Sequence, residues 1–181
     1  ERERDLDVLF LGNLNHAIHR ERGAMLEHVA KHSAGLRVMI DAGLPPEEYT
    51  RRLNDAKIAL NYGVRGEMNL RSFEAPACGA LLFVEDDNLE VFDWLEPGVQ
   101  CISYNLDNLM PRIRYFAEHE EERAHVALNG YQRIQGLAAE KRMDTLFNWM
   151  RTAPLGARAF RALDARRRAL ADGLLYGSSM D

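Results

Sequence analysis

The chain has 181 residues, of which 46% are hydrophobic and 28% charged, and its formal net charge is -5. Such a composition is ordinary for a soluble globular protein of one domain, or of one domain with a C-terminal extension. The negative charge argues against nonspecific nucleic-acid binding, and no apolar run is long enough to span a bilayer. The chain opens without a methionine or a visible signal peptide, so we expect a cytoplasmic piece of a longer protein.

The first part of the chain alternates short apolar runs with helical patterns. The apolar runs predict strands at 6–11, 36–40 and 57–61. Apolar residues at helical spacing predict helices at 19–31 and 47–54. Strands that alternate with helices in this way indicate βαβ units.

A glycine-spaced stretch, 63–79, connects the third predicted strand to a fourth at 80–84. It contains a short predicted helix that carries Asn69, Arg71 and Glu74. A loop and helix start at the carboxyl end of a parallel strand is where open α/β sheets bind ligands. Backbone N–H groups at a helix start also favour an anion. We therefore expect a ligand site in this stretch.

The remaining elements complete the predicted fold. They are a short helix around 89–95, a strand at 99–104, a helix capped by Asn105 or Asp107, and helices at 120–135 and 140–151. Five apolar strands separated by helices predict an α/β fold with a parallel sheet of about five to six strands. Helices are expected on both faces of this sheet, followed by C-terminal helices.

Neither the cysteines nor the histidines form a metal-binding pattern. Cys78 and Cys101 both lie among small or apolar residues, so each is predicted to be a core residue in a reducing compartment. His16 and His19 lack the spacing of zinc ligands. We therefore expect no metal site.

Four segments carry a resemblance to a known family. They are 7–13, 56–61, 69–80, and 95–98 taken with 113–116 and 120–123. Together they resemble the C-terminal half of group 1 glycosyltransferases of the GT-B fold, most of all the branch that includes CgeB-like spore-maturation proteins. The most specific segment is Asn69-Leu70-Arg71-Ser72-Phe73-Glu74-Ala75-Pro76-Ala77-Cys78-Gly79-Ala80, since strand and helix alternation alone fits many folds.

The resemblance implies a Rossmann-like domain over 1–150 that binds a nucleotide-diphosphate sugar as donor substrate, without a cofactor. Residues 151–181 would form a partly flexible, basic helical extension. The implied enzyme is a metal-independent, hexosyltransferase-like protein. Its acceptor would bind an N-terminal Rossmann-like domain of the same full-length chain. The fragment alone is expected to be inactive.

The resemblance also implies roles for individual residues. Glu74 would accept hydrogen bonds from the ribose hydroxyls, and the diphosphate would lie between the loop after the first strand and the central helix start. Many relatives carry a second glutamate eight positions earlier that contacts the sugar, but this chain has Gly66 there and Glu67 next to it. The full predicted site comprises Gly12, Asn13, Arg20, Glu67, Asn69, Leu70, Arg71 and Glu74.

The residues themselves leave alternatives open. Glu74 lies in an apolar helix and needs partners, which a vicinal diol or a salt bridge to Arg71 can supply. Arg71 can instead hold a diphosphate by bidentate hydrogen bonds, and Asn69 can cap the helix.

The role of the loop after the first predicted strand also has two alternatives. Gly12 and Asn13 form either a switch-point loop or an ordinary tight turn. Arg20 or Arg22 can neutralise a diphosphate or lie on a solvated helix face.

Two other functions fit less well. A non-catalytic Rossmann-like module for protein interaction or assembly is the main alternative, because the second glutamate is missing. An epimerase or dehydrogenase fragment is disfavoured, since Gly12-Asn13-Leu14-Asn15 is not a G-x-G-x-x-G loop.

Overall fold

The computed structural model describes residues 3–15, 19–64, 66–137, 144 and 148. One compact unit of the chain is Glu1–Gly136. Most of the helix predicted at 140–151, and the whole predicted extension at 151–181, lie outside the described residues. The proposed division of the chain at residue 150 stays a prediction.

The described residues form a five-stranded sheet in which every neighbouring pair is parallel. The strands are β1 (Leu6–Leu11), β2 (Val38–Asp41), β3 (Ala56–Leu60), β4 (Leu81–Glu85) and β5 (Ile102–Tyr104). β1, β3 and β4 are buried along nearly their whole length, as expected for strands covered on both faces. The predicted α/β fold is confirmed.

Five helices accompany the sheet in the part of the chain described up to residue 137. They are α1 (Arg20–His32), α2 (Pro46–Asp55), α3 (Arg71–Ala77), α4 (Leu106–Glu118) and α5 (Glu120–Gly136). The chain moves one way across the sheet from β1 to β2, then the other way from β2 to β3 and β4. Because parallel crossovers are right-handed, α1 and α2 must cover opposite faces, and α3 must share a face with α2. The contacts between α1 and α4 and between α3 and α5 extend the two layers.

The strand order, β2-β1-β3-β4-β5, places the reversal between β1 and β3. The loops that leave these two strands therefore diverge to opposite faces and leave a crevice between them. These loops begin at Gly12 and Asn61. The fold thus positions the two loops highlighted by the sequence at the same edge of the sheet.

Two local predictions were wrong. The strand predicted at 99–104 begins only at Ile102, because a turn precedes it in which Gln100 N–H donates to Glu96 O and Gly98 has a φ of 81°. The helix predicted around 89–95 is a single 3₁₀ turn at Val91–Asp93. No helix in the described part of the chain is long and apolar enough to cross a membrane.

Candidate functional site

A cavity of about 580 Å³ opens at the switch point between β1 and β3. Its walls come from the end of β1, the loops that follow β1, β2 and β3, and the first turns of α1, α2 and α3. They consist of Leu11, Gly12, Arg22, Leu44, Pro46, Tyr49, Asn69, Leu70, Arg71 and Glu74. Five of the eight residues predicted from the sequence are among them.

Glu74 lies on α3 and is paired with a tyrosine from α2. Its Oε2 accepts a hydrogen bond from the Tyr49 hydroxyl at 2.6 Å. Burial raises the pKa of Tyr49 to about 12, and the Glu74 hydrogen bond adds to that rise, so the hydroxyl stays protonated at neutral pH. The salt bridge to Arg71 considered as an alternative does not form in the described residues.

Arg71 reaches back from the start of α3 to the ends of β1 and β3. Its guanidinium donates to Leu11 O and, at 3.2 Å, to Asn61 Oδ1, and it lies 4.6 Å from the centroid of the Phe10 ring. Burial lowers the pKa of Arg71, and the positive charge of Arg22 acts in the same direction. A guanidinium keeps its charge in spite of such a shift, because its ordinary pKa is above 12.

Arg22 brings a second cation to the same cavity from α1. Its guanidinium donates to Asn13 O at 3.0 Å and lies 5.9 Å from the centroid of the Phe10 ring. The residue is 8% exposed, and burial lowers its pKa. Neither Arg22 nor Arg71 forms an ion pair with a carboxylate of the described residues. The cavity therefore carries one buried and one half-buried positive charge without a direct counter-ion among the described residues.

Four backbone N–H groups at the start of α3 are hydrogen-bonded within the chain. Arg71 N–H donates to Asn69 Oδ1 at 3.1 Å, and Ser72 N–H donates to Asn69 O at 3.1 Å. Phe73 and Glu74 both donate their N–H groups to Leu70 O. These four N–H groups are thus used within the chain, and the side chain of Asn69 acts as a cap, so anion attraction at this helix start stays a prediction. Arg22 and Arg71 supply positive charge at the cavity.

A buried carboxylate holds the loop that leads to α3. Glu85, at the end of β4, accepts from Gly63 N–H at 2.6 Å and from Asn88 Nδ2 at 2.7 Å. Asn88 Nδ2 also donates to Glu67 O at 3.3 Å. Glu85 is 4% exposed, and burial raises the pKa of its carboxyl group. The network fixes the loop on its β4 side.

The other three predicted residues do not line the cavity. Asn13 is exposed and contributes its backbone oxygen to Arg22. Arg20 is exposed at the first turn of α1. Glu67 is also exposed and lies on the β4 side of its loop, next to Asn88.

Tyr49, Asn61 and Glu85 are site residues that sequence reasoning missed. Asn61 and Glu85 had a signal, because each is a polar residue directly after an apolar strand, at the edge where parallel sheets bind ligands. Tyr49 had none, since its partner is 25 residues away in the sequence. In the described ranges no group of three or more His, Cys, Asp or Glu residues is placed to hold a metal ion.

The fold and the cavity together define a Rossmann-like α/β domain with an open cavity at the carboxyl edge of its sheet. The chain belongs to the glycosyl transferase-like family, whose model matches residues 4–148. No curated protein sequence matches it.

Solved structures with the same fold are distant in sequence. The T4 phage β-glucosyltransferase in complex with UDP and Mn²⁺ has a TM-score of 0.62 at 13% identity, over 78% of this chain and 46% of the phage enzyme. Anabaena HepE in complex with UDP-glucose has a TM-score of 0.56 at 12% identity, over 77% and 40%. This chain thus spans less than half of either protein.

A third structure is itself a single domain. The C-terminal domain of the group 1 glycosyl transferase LpcC from Francisella tularensis has a TM-score of 0.52 at 10% identity. The similarity covers 71% of this chain and 84% of that domain. The predicted resemblance to group 1 glycosyltransferases of the GT-B fold is confirmed.

Proposed function

We propose that this chain is the donor-binding domain of a glycosyltransferase and that the switch-point cavity holds the nucleoside diphosphate of a sugar nucleotide. One observation carries the proposal: buried Arg22 and half-buried Arg71 both lie against the Phe10 ring, without an ion-pair partner among the described carboxylates, in the wall that also contains Glu74. Two such cations next to an acceptor carboxylate match a ligand with a diphosphate at one end and a diol at the other.

The arginines also have hydrogen-bonding capacity to spare. The Nε atoms of Arg22 and Arg71 are buried and have no hydrogen-bond partner in the described residues. A buried donor without a partner costs about 1–3 kcal/mol, which an anionic ligand would offset. In catalysis the same two charges would stabilise the diphosphate as it leaves the sugar.

The rest of the enzyme is proposed from the comparisons. HepE and the T4 phage enzyme bind UDP-glucose and UDP respectively, and this chain spans less than half of each. We infer that the acceptor and any catalytic base belong to an N-terminal domain of the full-length protein, which is expected to be cytoplasmic. The domain alone would then bind nucleotide with little or no turnover.

The experiment is a thermal-shift and calorimetric panel of UDP, GDP and ADP on the purified chain. A nucleotide at a hundred times its dissociation constant should add about 2.7 kcal/mol to the free energy of unfolding. Arg22→Gln and Arg71→Gln should each weaken binding at least tenfold. Lys31→Gln, at an exposed residue of α1, is the matched control. Absence of a shift with every nucleotide would overturn the proposal.

We further propose that nucleotide binding needs no metal, because two arginines already supply the positive charge beside the cavity. The T4 phage enzyme was solved in complex with UDP and Mn²⁺, so metal dependence is the property to measure. UDP affinity should be unchanged when EDTA replaces Mn²⁺ in the titration. A loss of affinity in EDTA, recovered by Mn²⁺, would contradict metal independence and leave the donor site intact.

A non-catalytic module is the second candidate, and Gly66 favours it. The sugar-contacting glutamate of many relatives is absent there, and Glu67 lies outside the cavity wall. The same panel separates the two functions. Binding of free UDP with no measurable difference for UDP-glucose would fit a site that has lost its sugar contacts, whereas a glycosyltransferase should distinguish them.

A further inference from the structure

The pairing of Tyr49 with Glu74 limits what the cavity can accept. Tyr49 has one hydroxyl proton and donates it to Glu74 Oε2 at 2.6 Å. Glu74 Oε1 accepts no hydrogen bond from the described residues, and an ionised carboxylate has only acceptor sites. The two side chains therefore offer acceptor oxygens to the cavity and no donor. A ligand group that matches them must bring donors of its own.

The pair is also held in place by its surroundings. Tyr49 lies in the first turn of α2, where its N–H donates to Pro45 O at 2.8 Å, and Pro46 fixes the backbone at the helix start. Glu74 lies on the short helix α3, whose start is capped by Asn69. With both helix starts fixed, the hydrogen bond holds the carboxylate in one orientation. Oε1 of this wall residue then keeps its lone pairs available to a ligand in the cavity.

We propose that Tyr49 is a positioning residue: it orients Glu74 so that the carboxylate selects the vicinal diol of a ribose over a deoxyribose. The inference rests on the proposed function, because it assumes that the cavity holds a nucleotide. A cis-diol has two neighbouring O–H donors, and a carboxylate held edge-on can accept both. A 2′-deoxy nucleotide has lost one of them and leaves an acceptor site empty.

The test is calorimetric binding of UDP, GDP and ADP, each compared with its 2′-deoxy form, to the purified chain. The measured quantity is the ratio of the two affinities. We expect the wild-type chain to prefer the ribose form by about tenfold or more, as for a hydrogen bond to a charged group. In Tyr49→Phe the ratio should fall below about threefold, while the affinity for the 2′-deoxy form changes little.

Tyr115→Phe is the matched control. The Tyr115 hydroxyl also donates to a carboxylate, Glu122 Oε2, at 2.7 Å, but on the exposed surface of α4 and α5. In Tyr115→Phe the ratio of the affinities for the ribose and 2′-deoxy forms should equal that of the wild-type chain. Glu74→Gln is a second variant and should also lose the preference for ribose.

The outcomes separate the two proposals. If the wild-type chain binds a nucleotide but does not distinguish ribose from deoxyribose, the inference is overturned and the donor site stands. It is overturned as well if Tyr49→Phe or Glu74→Gln keeps the wild-type ratio. If the wild-type chain binds no nucleotide in either form, the proposed function itself has failed.

Discussion

Asn61, fully buried at the end of β3, accepts a hydrogen bond of 3.2 Å from Nη1 of Arg71. Its amide nitrogen lies 3.5 Å from Glu85 Oε2, at the long limit of a hydrogen bond. The carboxamide of Asn61 thus lies between the buried carboxylate of Glu85 and the guanidinium of Arg71. The guanidinium of Arg71 is positioned by a residue that does not itself line the cavity.

Removing this carboxamide should affect both stability and binding. Asn61→Ala leaves Nη1 of Arg71 without its partner in a buried setting, which costs about 2 kcal/mol in the free energy of unfolding. UDP affinity should fall about tenfold, because Arg71 is no longer fixed. Chemical denaturation and calorimetry measure the two effects. Asn129→Ala, at a half-buried asparagine on α5 outside the cavity wall, should leave UDP affinity unchanged.

A loss of stability without a loss of UDP affinity in Asn61→Ala would contradict this role. A destabilised variant with wild-type UDP affinity would show that Asn61 supports the fold and leaves Arg71 where it is.

Gly12 leaves room for the guanidinium of Arg71, because it has no side chain. A Cβ at this position would lie 2.5 Å from Nη2 of Arg71 and 3.2 Å from Cζ of Phe10. Since the end of a flexible side chain can move, Gly12→Ala should cost less than about 1 kcal/mol of stability but displace Arg71, and weaken UDP binding about tenfold. Gly136→Ala is the control, because nothing lies within 4 Å of its Cβ position. Equal UDP affinity in Gly12→Ala would mean that the cavity does not need Arg71 in its present place.

The fold could be predicted from the sequence because its signals are local. The apolar run of β1 was predicted at its observed bounds, and α4 begins after Asn105, whose side chain accepts from the N–H groups of Asp107 and Asn108. The prediction at 99–104 was wrong because an apolar run does not distinguish a strand from a turn. The turn is fixed by hydrogen bonds to Glu96 that composition does not show.

The site could be predicted only in part. Glu74 and Arg71 were recognised from a continuous segment that resembles a known family. The partners that orient them, Tyr49 on α2 and Asn61 directly after β3, come from other elements and are brought close only by the parallel sheet. The position of Asn61 after an apolar strand was a local signal, but its contact with Arg71 depends on the tertiary fold and could not be predicted from it.

Gly66 has a backbone conformation that opposes a return of the missing glutamate. Its φ is 75°, and a Cβ there would lie 3.1 Å from both Asp87 O and Cγ of Leu89. Gly66→Ala should therefore lose about 1–2 kcal/mol of stability, from the left-handed conformation and the crowding. Gly66→Glu should lose at least as much and gain no affinity for UDP-glucose over UDP. Urea denaturation and calorimetry are the measurements, and a Gly66→Glu variant that is stable and prefers UDP-glucose would disprove both expectations.

The amino-terminal edge of the sheet carries a buried ion pair that should govern stability in acid. Asp7 Oδ1 lies 2.7 Å from Nζ of Lys57, and Oδ2 accepts from Arg37 N–H at 2.8 Å. Burial alone would raise the pKa of Asp7, but the hydrogen bonds from Lys57 and Arg37 and their charges outweigh it and lower the pKa. A lowered pKa in the folded state adds stability that is present above the unfolded value, about 3.9, and is lost as pH falls through the folded value.

Lys57→Met tests this pair. At pH 7 the variant should lose about 2 kcal/mol, less than the 3–5 kcal/mol of a fully buried pair, because Arg37 still contacts Asp7. The loss should shrink as pH falls from 5 to 3, since Asp7 becomes protonated in both proteins. Lys31→Met breaks the exposed pair with Glu27, also at 2.7 Å, and should cost under about 0.5 kcal/mol. Urea denaturation from pH 7 to 3 measures the loss of stability in both variants. A loss for Lys57→Met that stays constant with pH would show that packing of the lysine stem, rather than the ion pair, stabilises this edge.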